Sequence, residues 1–272
     1  MVDSLMRGDL MNGSARRNEE GHKALILKAI ADGGLGFAAQ WVHDAGNVGE
    51  VFYAESLARV TESDGTVHAA GTFVSLLERQ DSWFALDLRI LDMVLSALAA
   101  DETLVLGCNL SVASLSHPDR FADIFGRITH QPNLSSRLIV EITETYPLVG
   151  TAIERVKMIR SLGCRIAIDD FGSGFATPAS LLQITADIVK IDAAFLRDNR
   201  RGRDGRDSLS HLVGFAACFA PFVVVEGIET ESQLRAARAA GATHVQGFFL
   251  SKPVSVPQLR RHRSKTGLRG VG

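Results

Sequence analysis

Eight hydrophobic runs of strand length alternate with helix-length segments along most of this chain, and no other feature constrains its fold as much. Such alternation is typical of α/β proteins built on a parallel sheet. Eight strands with interleaved helices in a chain of 272 residues predict a closed barrel of the TIM type. The runs are Phe37–Val42, Val51–Leu57, Leu104–Asn109, Arg137–Ile142, Arg165–Asp170, Ala186–Ile191, Phe222–Glu226 and His244–Phe249.

The connection between the first two runs is unusually short. Residues 43–50 form one glycine-containing segment, whereas a parallel crossover needs about a dozen residues or more. We therefore expect an antiparallel hairpin, and the predicted fold is a modified TIM-type (β/α)8 barrel with an antiparallel first strand. The predicted helices are His22–Ala31, Phe84–Ala99, Leu148–Leu162, Ser208–Phe219 and Glu231–Ala240.

No repeat or low-complexity block in the sequence indicates a second domain. We expect a flexible leader over residues 1–21, a single barrel domain over residues 22–259 and a solvated basic tail over residues 260–272. Arg197–Asp207 contains five arginines and three aspartates. This composition is typical of a solvated loop, with a partner or dimer contact as the alternative.

The composition excludes several classes of function. A formal net charge of −2 gives no global positive field that would gather long nucleic acid or an anionic membrane. The longest apolar run, residues 212–225, contains Pro221 and is shorter than the roughly 20 residues of a membrane span. Three cysteines in apolar surroundings indicate reduced, buried thiols. We therefore expect a cytoplasmic protein.

Polar residues lie within or at the ends of the predicted strands, which are otherwise apolar. In such a barrel the C-terminal strand ends meet at one face and carry the reactive groups. We therefore expect these side chains to converge. They are Gln40 in the first run, Glu55, Asn109, Glu141, Asp169 with Asp170, Lys190 and Glu226 in the second to the seventh, and Gln246 in the eighth.

Five converging carboxylates need protons or cations, because a pair about 6 Å apart repels by roughly 3 kcal/mol at an effective dielectric near 20. Two divalent cations together with Lys190 would neutralise them. Carboxylate and amide oxygens without clustered cysteine or histidine favour Mg²⁺ or Mn²⁺. Two such ions suit attack of water on a phosphodiester. An unrelated Mg²⁺ barrel enzyme of the enolate type would also explain the acids and Lys190.

Short motifs follow one another in a fixed order along the chain, namely Glu55-Ser56-Leu57 with Arg59, Asn109-Leu110-Ser111, Glu141-Ile142-Thr143-Glu144, Asp169–Phe175, Val189–Asp192, Glu226–Thr230 and Gln246-Gly247-Phe248. Their order and spacing resemble those of the EAL-domain cyclic di-GMP phosphodiesterases, from about Phe37 to Pro253. The resemblance implies a barrel with an antiparallel strand, two Mg²⁺ or Mn²⁺ ions, hydrolysis of cyclic di-GMP to linear pGpG by water, and often a dimer.

The resemblance also implies a role for each matching residue. Lys190 corresponds to the residue that orients or activates the attacking water, and Glu229 to a glutamate that braces the loop after the aspartate pair. Gln246 corresponds to a glutamine near the water and the metals. The implied metal ligands are Glu55, Asn109, Glu141, Asp169, Asp170 and Glu226. The implied substrate contacts are Gln40, Leu57 and Arg59.

The sequence departs from the family pattern mainly at the substrate edge. Ser56 replaces alanine, Trp41 replaces proline, and residues 175–178 replace a Tyr-Ser-Ser run in a loop that couples the metals to dimerisation. These changes concern affinity and regulation more than chemistry. A catalytically silent EAL module that binds cyclic di-GMP or a protein is the alternative function, and loss of metal ligands would favour it. No acidic ligand is missing, and control is expected from oligomerisation, expression or a separate regulatory protein.

Overall fold

The computed structural model describes residues 21–73, 83–143, 148–172 and 181–259. Within these residues the strands are β1 (Leu35–Asp44), β2 (Val51–Thr61), β3 (Val67–Ala69), β4 (Leu106–Ser111), β5 (Leu138–Thr143), β6 (Arg165–Phe171), β7 (Ile188–Ile191), β8 (Phe222–Val225) and β9 (His244–Val245). Eight of them form a closed barrel in the order β1-β9-β8-β7-β6-β5-β4-β2, in which β2 also pairs with β1, and β3 adds to β2.

The first strand runs against its neighbour. β1 pairs antiparallel with β9, whereas β2, β4, β5, β6, β7, β8 and β9 pair in parallel. In the tight connection after β1, the Asp44 N–H donates to the Glu50 carbonyl at 3.0 Å. Because this connection is too short for a parallel crossover, the chain must reverse. The predicted TIM-type barrel with an antiparallel first strand is confirmed.

One helix precedes β1, and most of the others lie in the connections between the parallel strands. They are α1 (residues 21–31), α2 (described for residues 70–73), α3 (Trp83–Ala100), α4 (Val112–Ser116), α5 (Pro118–Thr129), α6 (Thr151–Ser161), α7 (Ala194–Arg197), α8 (Ser208–Ala216) and α9 (Glu231–Ala240), with a 3-10 helix at Pro132–Arg137 and further helical residues at 181 and 256–259. α9 begins with a capping box between Thr230 and Gln233 and is terminated by Gly241, the residue after its last turn, whose φ is 93°. Its bounds are those predicted from the sequence.

The chain divides into two compact units. The smaller unit consists of residues 1–37 and 58–85, and in its described part the end of β2 pairs antiparallel with β3 while Ile26 and Phe73 are buried. The larger unit consists of residues 38–57 and 86–272 and contains most of the barrel. The predicted leader, single domain and tail stay predictions, since residues 1–20 and 260–272 lie outside the described residues.

An apolar layer fills the middle of the barrel. Side chains two residues apart in a strand point to the same face. The residue two positions along the strand from each member of this layer therefore also points into the barrel. For example, Tyr53 precedes Glu55 and Ile188 precedes Lys190. The buried cluster consists of Val42, Tyr53, Ile139, Ala167, Ile188 and Val224.

An aromatic cluster lies at the starts of the strands, at the opposite end of the barrel from the polar strand ends. His244 stacks on Phe52 with the ring centroids 4.4 Å apart and meets Phe222 edge-on at 5.4 Å. The Arg165 guanidinium lies 5.4 Å from the Phe52 ring centroid. Burial lowers the pKa of His244, and the charge of Asp44 opposes this shift only in part.

The structure differs from the sequence predictions in several details. The eighth strand ends at Val245 rather than Phe249, because the next residues bind the preceding loop, with the Phe249 N–H donating to the Ile228 carbonyl at 2.9 Å. The periodicity patterns do not predict α5. Cys108 and Cys164 are buried as predicted, but the prediction is wrong for Cys218, which is exposed after α8.

No helix within the described ranges is long and apolar enough to cross a membrane.

Replacement of His244 by phenylalanine should make the protein less sensitive to acid. The native pKa of His244 lies below its usual value of 6.5, so the unfolded chain binds a proton more readily. The contribution of His244 to stability is therefore complete above about pH 6.5 and is lost as the pH falls through the native pKa. The thermal midpoint should fall less between about pH 7.5 and about pH 5.5 in His244→Phe than in the wild type. His117→Phe, at an exposed position, is the control, and equal behaviour of the two variants would contradict the prediction.

Candidate active site

A polar layer lies directly beyond the apolar layer, at the C-terminal ends of the parallel strands. Each of the eight barrel strands in the described chain supplies one member, either from the strand itself or from the residue that follows it. The members, in chain order, are Gln40, Glu55, Asn109, Glu141, Asp169, Lys190, Glu226 and Gln246. The structure thus brings together side chains that the sequence predicts at separate strand ends.

The Lys190 ammonium group lies among four carboxylates of this layer. Its Nζ is 2.7 Å from Glu141 Oε2, 2.8 Å from Glu226 Oε1, 2.9 Å from Asp169 Oδ1 and 3.0 Å from Glu55 Oε2. Lys190 is completely buried. An ammonium group has three N–H donors, so it cannot donate to four carboxylates at once. Its single charge also leaves the layer with excess negative charge.

Two amide side chains orient Glu55. Gln246 Nε2 donates to Glu55 Oε2 at 2.8 Å, and Asn109 Nδ2 donates to Glu55 Oε1 at 3.1 Å. The amide oxygens of the same two side chains, Asn109 Oδ1 and Gln246 Oε1, are buried and have no hydrogen-bond partner among the described residues. Both amide oxygens therefore remain available to a ligand.

Asp169 and Asp170 are consecutive in β6, where regular alternation would send their side chains to opposite faces. Asp170 has a φ of 52°, in the left-handed region that residues other than glycine rarely adopt. One carboxylate oxygen each from Asp169, Asp170 and Glu226 lie within 4.8 Å of one another, as do those from Glu55, Glu141 and Asp169. Asp169 therefore belongs to two acidic triads.

Gly107 makes room for Glu141 inside the barrel. It lies two residues before Asn109 in β4 and is the register partner of Ile139 in β5. A Cβ atom at position 107 would collide with Glu141 Oε1 and would lie 2.9 Å from Tyr53 Cε2. The Glu141 carboxylate can occupy this space only because residue 107 has no side chain.

A cavity of about 300 Å³ opens on the polar layer. Five acids, two glutamines and two apolar side chains are among the residues that line it, namely Glu55, Asp169, Asp170, Glu226, Glu229, Gln40, Gln246, Leu57 and Phe248. Phe248 is 59% exposed, so the cavity has an aromatic ring at its edge. The sequence motif contains this residue but does not by itself indicate that the ring is exposed.

Burial raises the pKa of most acids at this site. It raises the pKa of Glu226 to about 8 against the opposing charge of Lys190. Burial, together with the charge of Asp169, raises the pKa of Asp170 to about 6. The pKa of Glu141 is also raised by burial. Burial acts in the same direction on Glu55, but Lys190 and the hydrogen bonds from the two amides outweigh it and lower its pKa. The acids therefore differ in how readily they ionise.

The donor set fits divalent cations that prefer oxygen ligands. Both triads consist of carboxylates alone, and Asn109 adds an amide oxygen. Asn109 Oδ1 and Glu141 Oε1 have no hydrogen-bond partner in the described chain, and an unpartnered buried polar group costs about 1–3 kcal/mol. A cation bound between the triads would satisfy these oxygens and offset the excess negative charge.

The remaining predicted residues lie at the cavity edge or in the smaller unit. Gln40 and Leu57 line the cavity, and Gln40 Nε2 donates to the Ser251 carbonyl at 2.9 Å. Glu229 also lines it, but most of the loop that it should brace lies outside the described residues, so this role stays a prediction. Arg59 belongs to the smaller unit, where its Nη1 donates to the Ala58 carbonyl at 2.8 Å, and its contact with substrate also stays a prediction.

The described departures from the family pattern are buried. Trp41 and Ser56 are 6% and 2% exposed, and Ser56 Oγ has no hydrogen-bond partner in the described part of the chain. Residues 175–178 lie outside the described residues.

The family model described as EAL domain matches residues 24–253. The chain belongs to the EAL domain family. The resemblance that the ordered motifs predict is confirmed, and the whole polar layer lies within the matched range.

Curated relatives of this EAL domain include two longer bacterial proteins. The probable cyclic di-GMP phosphodiesterase PdeA of Escherichia coli K12 is 28% identical over 234 residues, which cover 84% of this chain and 32% of that protein. The bifunctional diguanylate cyclase/cyclic di-GMP phosphodiesterase MucR of Pseudomonas aeruginosa is 28% identical over 153 residues, which cover 56% of this chain and 22% of that protein. The chain thus spans about a fifth to a third of the length of these relatives.

Solved EAL structures have the same fold. The PaMucR phosphodiesterase in complex with c-di-GMP superposes with a TM-score of 0.74 at 23% identity, covering 85% of this chain and 96% of that one. An EAL domain protein from Listeria monocytogenes EGD-e gives a TM-score of 0.78 at 20% identity, covering 89% and 97%. At such identities the likeness establishes the fold alone.

Replacement of Gly107 by alanine should destabilise this EAL domain, because the added methyl group collides with Glu141 and approaches Tyr53. Overpacking of this kind costs about 1–3 kcal/mol. Gly126 in α5 is a matched control, since an added Cβ meets nothing within 4 Å there, and Gly126→Ala should be neutral or stabilising by up to about 1 kcal/mol. Urea denaturation in the presence of a chelator measures both effects. Wild-type stability of Gly107→Ala would show that Glu141 does not need this space.

Proposed function

We propose that this EAL domain hydrolyses cyclic di-GMP to linear pGpG with two divalent cations, Mg²⁺ or Mn²⁺, as cofactors. The observation that carries the proposal is the complete polar layer, in which two acidic triads share Asp169. Relatives named as cyclic di-GMP phosphodiesterases support the choice of substrate. A phosphodiester is an anion, so it can approach this layer only when cations offset the carboxylates.

Six side chains would hold the cations, namely Glu55, Asn109, Glu141, Asp169, Asp170 and Glu226. When bound, the cations supply Lewis-acid chemistry, which makes water a stronger nucleophile and offsets the charge that develops on the phosphate. The protein supplies the geometry of the ligands. Asn109 and Gln246 hold Glu55 in place through the hydrogen bonds described above.

Lys190, Glu55 and Glu229 complete the proposed catalytic group. When cations take over some of the carboxylate contacts, a Lys190 N–H would be released to hold the attacking water, and the ammonium charge would oppose the negative charge of the transition state. The lowered pKa of Glu55 keeps this carboxylate ionised near neutral pH, so it remains an acceptor for the water. Glu229 would act indirectly, by steadying the loop that follows Asp170.

Gln40, Leu57, Arg59 and Gln246 would contact the dinucleotide. Leu57 lines the cavity with an apolar surface, and the exposed ring of Phe248 provides a flat face of the kind on which bases stack. The planar guanidinium of Arg59 has donors suited to phosphate or to the acceptor edge of guanine.

We also propose a cytoplasmic homodimer, whose control would come from oligomerisation, from expression or from a separate regulatory protein. The family resemblance supports the dimer, and the composition supports the location. A catalytically silent module that binds cyclic di-GMP or a protein is the alternative, and the first experiment below distinguishes it from the enzyme.

The decisive experiment is incubation of the purified protein with cyclic di-GMP, followed by chromatographic separation of the products. We expect pGpG with Mg²⁺ or Mn²⁺ and no turnover in excess EDTA, because the carboxylates repel the substrate without cations. Ca²⁺ should support binding better than turnover, since its coordination geometry is looser. Turnover in excess EDTA would contradict the cation mechanism. Binding of cyclic di-GMP without hydrolysis in either cation would identify a silent module.

Lys190→Ala tests the role of the buried ammonium group. We expect turnover at saturating metal to fall by roughly 10² to 10⁴, whereas cyclic di-GMP binding, measured by calorimetry, should persist. Lys157→Ala is the control, because Lys157 forms an exposed ion pair with Glu154. If Lys190→Ala loses binding together with turnover, Lys190 is a structural counter-charge and not a group that holds water.

Glu226 and Glu229 should respond differently to the same substitution. Glu226 lies 2.8 Å from Lys190 Nζ within the layer, so Glu226→Gln should remove activity at every metal concentration. Glu229 is exposed at the cavity edge, so Glu229→Gln should weaken apparent metal affinity and be rescued in part by high Mg²⁺ or Mn²⁺. Metal titration of both variants provides the measurement. Identical loss without rescue would exclude the bracing role of Glu229.

A further inference from the structure

A carboxylate on α3 binds the end of the strand that carries Asn109. Asp87 Oδ2 accepts hydrogen bonds from the Ser111 N–H at 3.2 Å, from Ser111 Oγ at 2.8 Å and from Ser114 Oγ at 2.7 Å. Ser111 is the last residue of β4, and Ser114 is completely buried in α4. A single oxygen atom thus joins α3, β4 and α4.

These bonds fix the direction in which β4 ends. Ser111 lies two residues after Asn109, so both side chains lie on the same face of the strand. Ser111 Oγ also accepts the Ser114 N–H at 3.2 Å and caps α4. The hydroxyl of Ser111 is therefore both a donor to Asp87 and an acceptor from α4, which leaves this turn little freedom to move.

The orientation of Asn109 depends on where β4 ends. Its Nδ2 lies 3.1 Å from Glu55 Oε1, near the upper limit of a normal N–H···O distance. A small shift of the strand end would break this bond. The amide could then rotate and turn Oδ1 away from the carboxylates.

We propose that Asp87 is a positioning residue for Asn109. Asp87 acts through Ser111 and Ser114, and keeps Asn109 Oδ1 available as the neutral oxygen ligand of the cation site. The inference rests on the proposed function in one respect, namely that the polar layer binds divalent cations. An aspartate suits this position because an ionised carboxylate is an acceptor only, and three donors converge on one of its oxygens.

Asp92 provides a matched control on the same helix. Its Oδ1 accepts from Arg127 Nε at 2.8 Å, and its side chain is 52% exposed. An exposed pair of this kind contributes little to stability. Asp92→Asn therefore makes the same chemical change on α3 without disturbing the end of β4.

The test is calorimetric titration of the metal-free protein with Mn²⁺, in the absence of substrate. Loss of a group that orients a metal ligand typically weakens metal affinity by about 10 to 100-fold. We expect a loss of this size in Asp87→Asn, and an affinity within about twofold of the wild type in Asp92→Asn. Wild-type Mn²⁺ affinity in folded Asp87→Asn would overturn the proposal, and so would an equal loss in Asp92→Asn.

A second variant keeps the test decisive if Asp87→Asn does not fold. Ser114→Ala removes one of the three donors and leaves the carboxylate in place. It should also weaken Mn²⁺ binding, and in a folded Asp87→Asn background it should add little, because residues that act as one unit are not additive. Wild-type affinity of Ser114→Ala, when Asp87→Asn is unfolded, would overturn the proposal.

The Mn²⁺ titration tests the role of Asp87, and the hydrolysis assay tests the proposed function, so either proposal can be contradicted separately. A wild-type protein that binds Mn²⁺ but does not cleave cyclic di-GMP would contradict the proposed function, and the variants would still decide the role of Asp87. A wild-type protein that does not bind Mn²⁺ would overturn the positioning role directly.

Discussion

The contact between the buried Lys190 ammonium group and four carboxylates is the interaction on which the rest of the candidate active site depends. It draws together side chains from β2, β5 and β6 and from the residue after β8. Removing one partner of a buried ion pair typically costs several kcal/mol, so loss of this cation would favour protonation of the acids around it. The same contact also leaves the layer short of positive charge. One arrangement thus brings these side chains together and creates the demand for further cations.

The division of the barrel interior into layers follows from the two-residue period of a strand. An apolar residue in the middle layer fixes the position of the polar residue two places along, as Ile188 does for Lys190. Rigid strands therefore hold the reactive groups, whereas the loops beyond them contribute Glu229 and Phe248. This separation allows loop sequences to vary while the charged layer remains in place.

The sequence predicts the parts of this structure that depend on local patterns. Hydrophobic runs indicate the strands, the short 43–50 connection indicates the reversal, and ordered polar motifs indicate the site. Other features depend on contacts between distant segments. The need for glycine at position 107 arises from Glu141 on the neighbouring strand. Nothing in the helical pattern around Asp87 indicates its hydrogen bonds to Ser111, because Ser111 is 24 residues away in the sequence. The exposure of Cys218 likewise depends on how the turn after α8 packs.

The sequence separations within the polar layer have a consequence for how the chain folds. Gln246 and Glu55, which share a hydrogen bond, are 191 residues apart, and Lys190 and Glu55 are 135 residues apart. Contacts over such distances form slowly, because the intervening loops must be closed first. β9 is only two residues long, yet it closes the ring against β1. The site can therefore assemble only when the barrel closes, and a nascent chain without β9 lacks an intact layer.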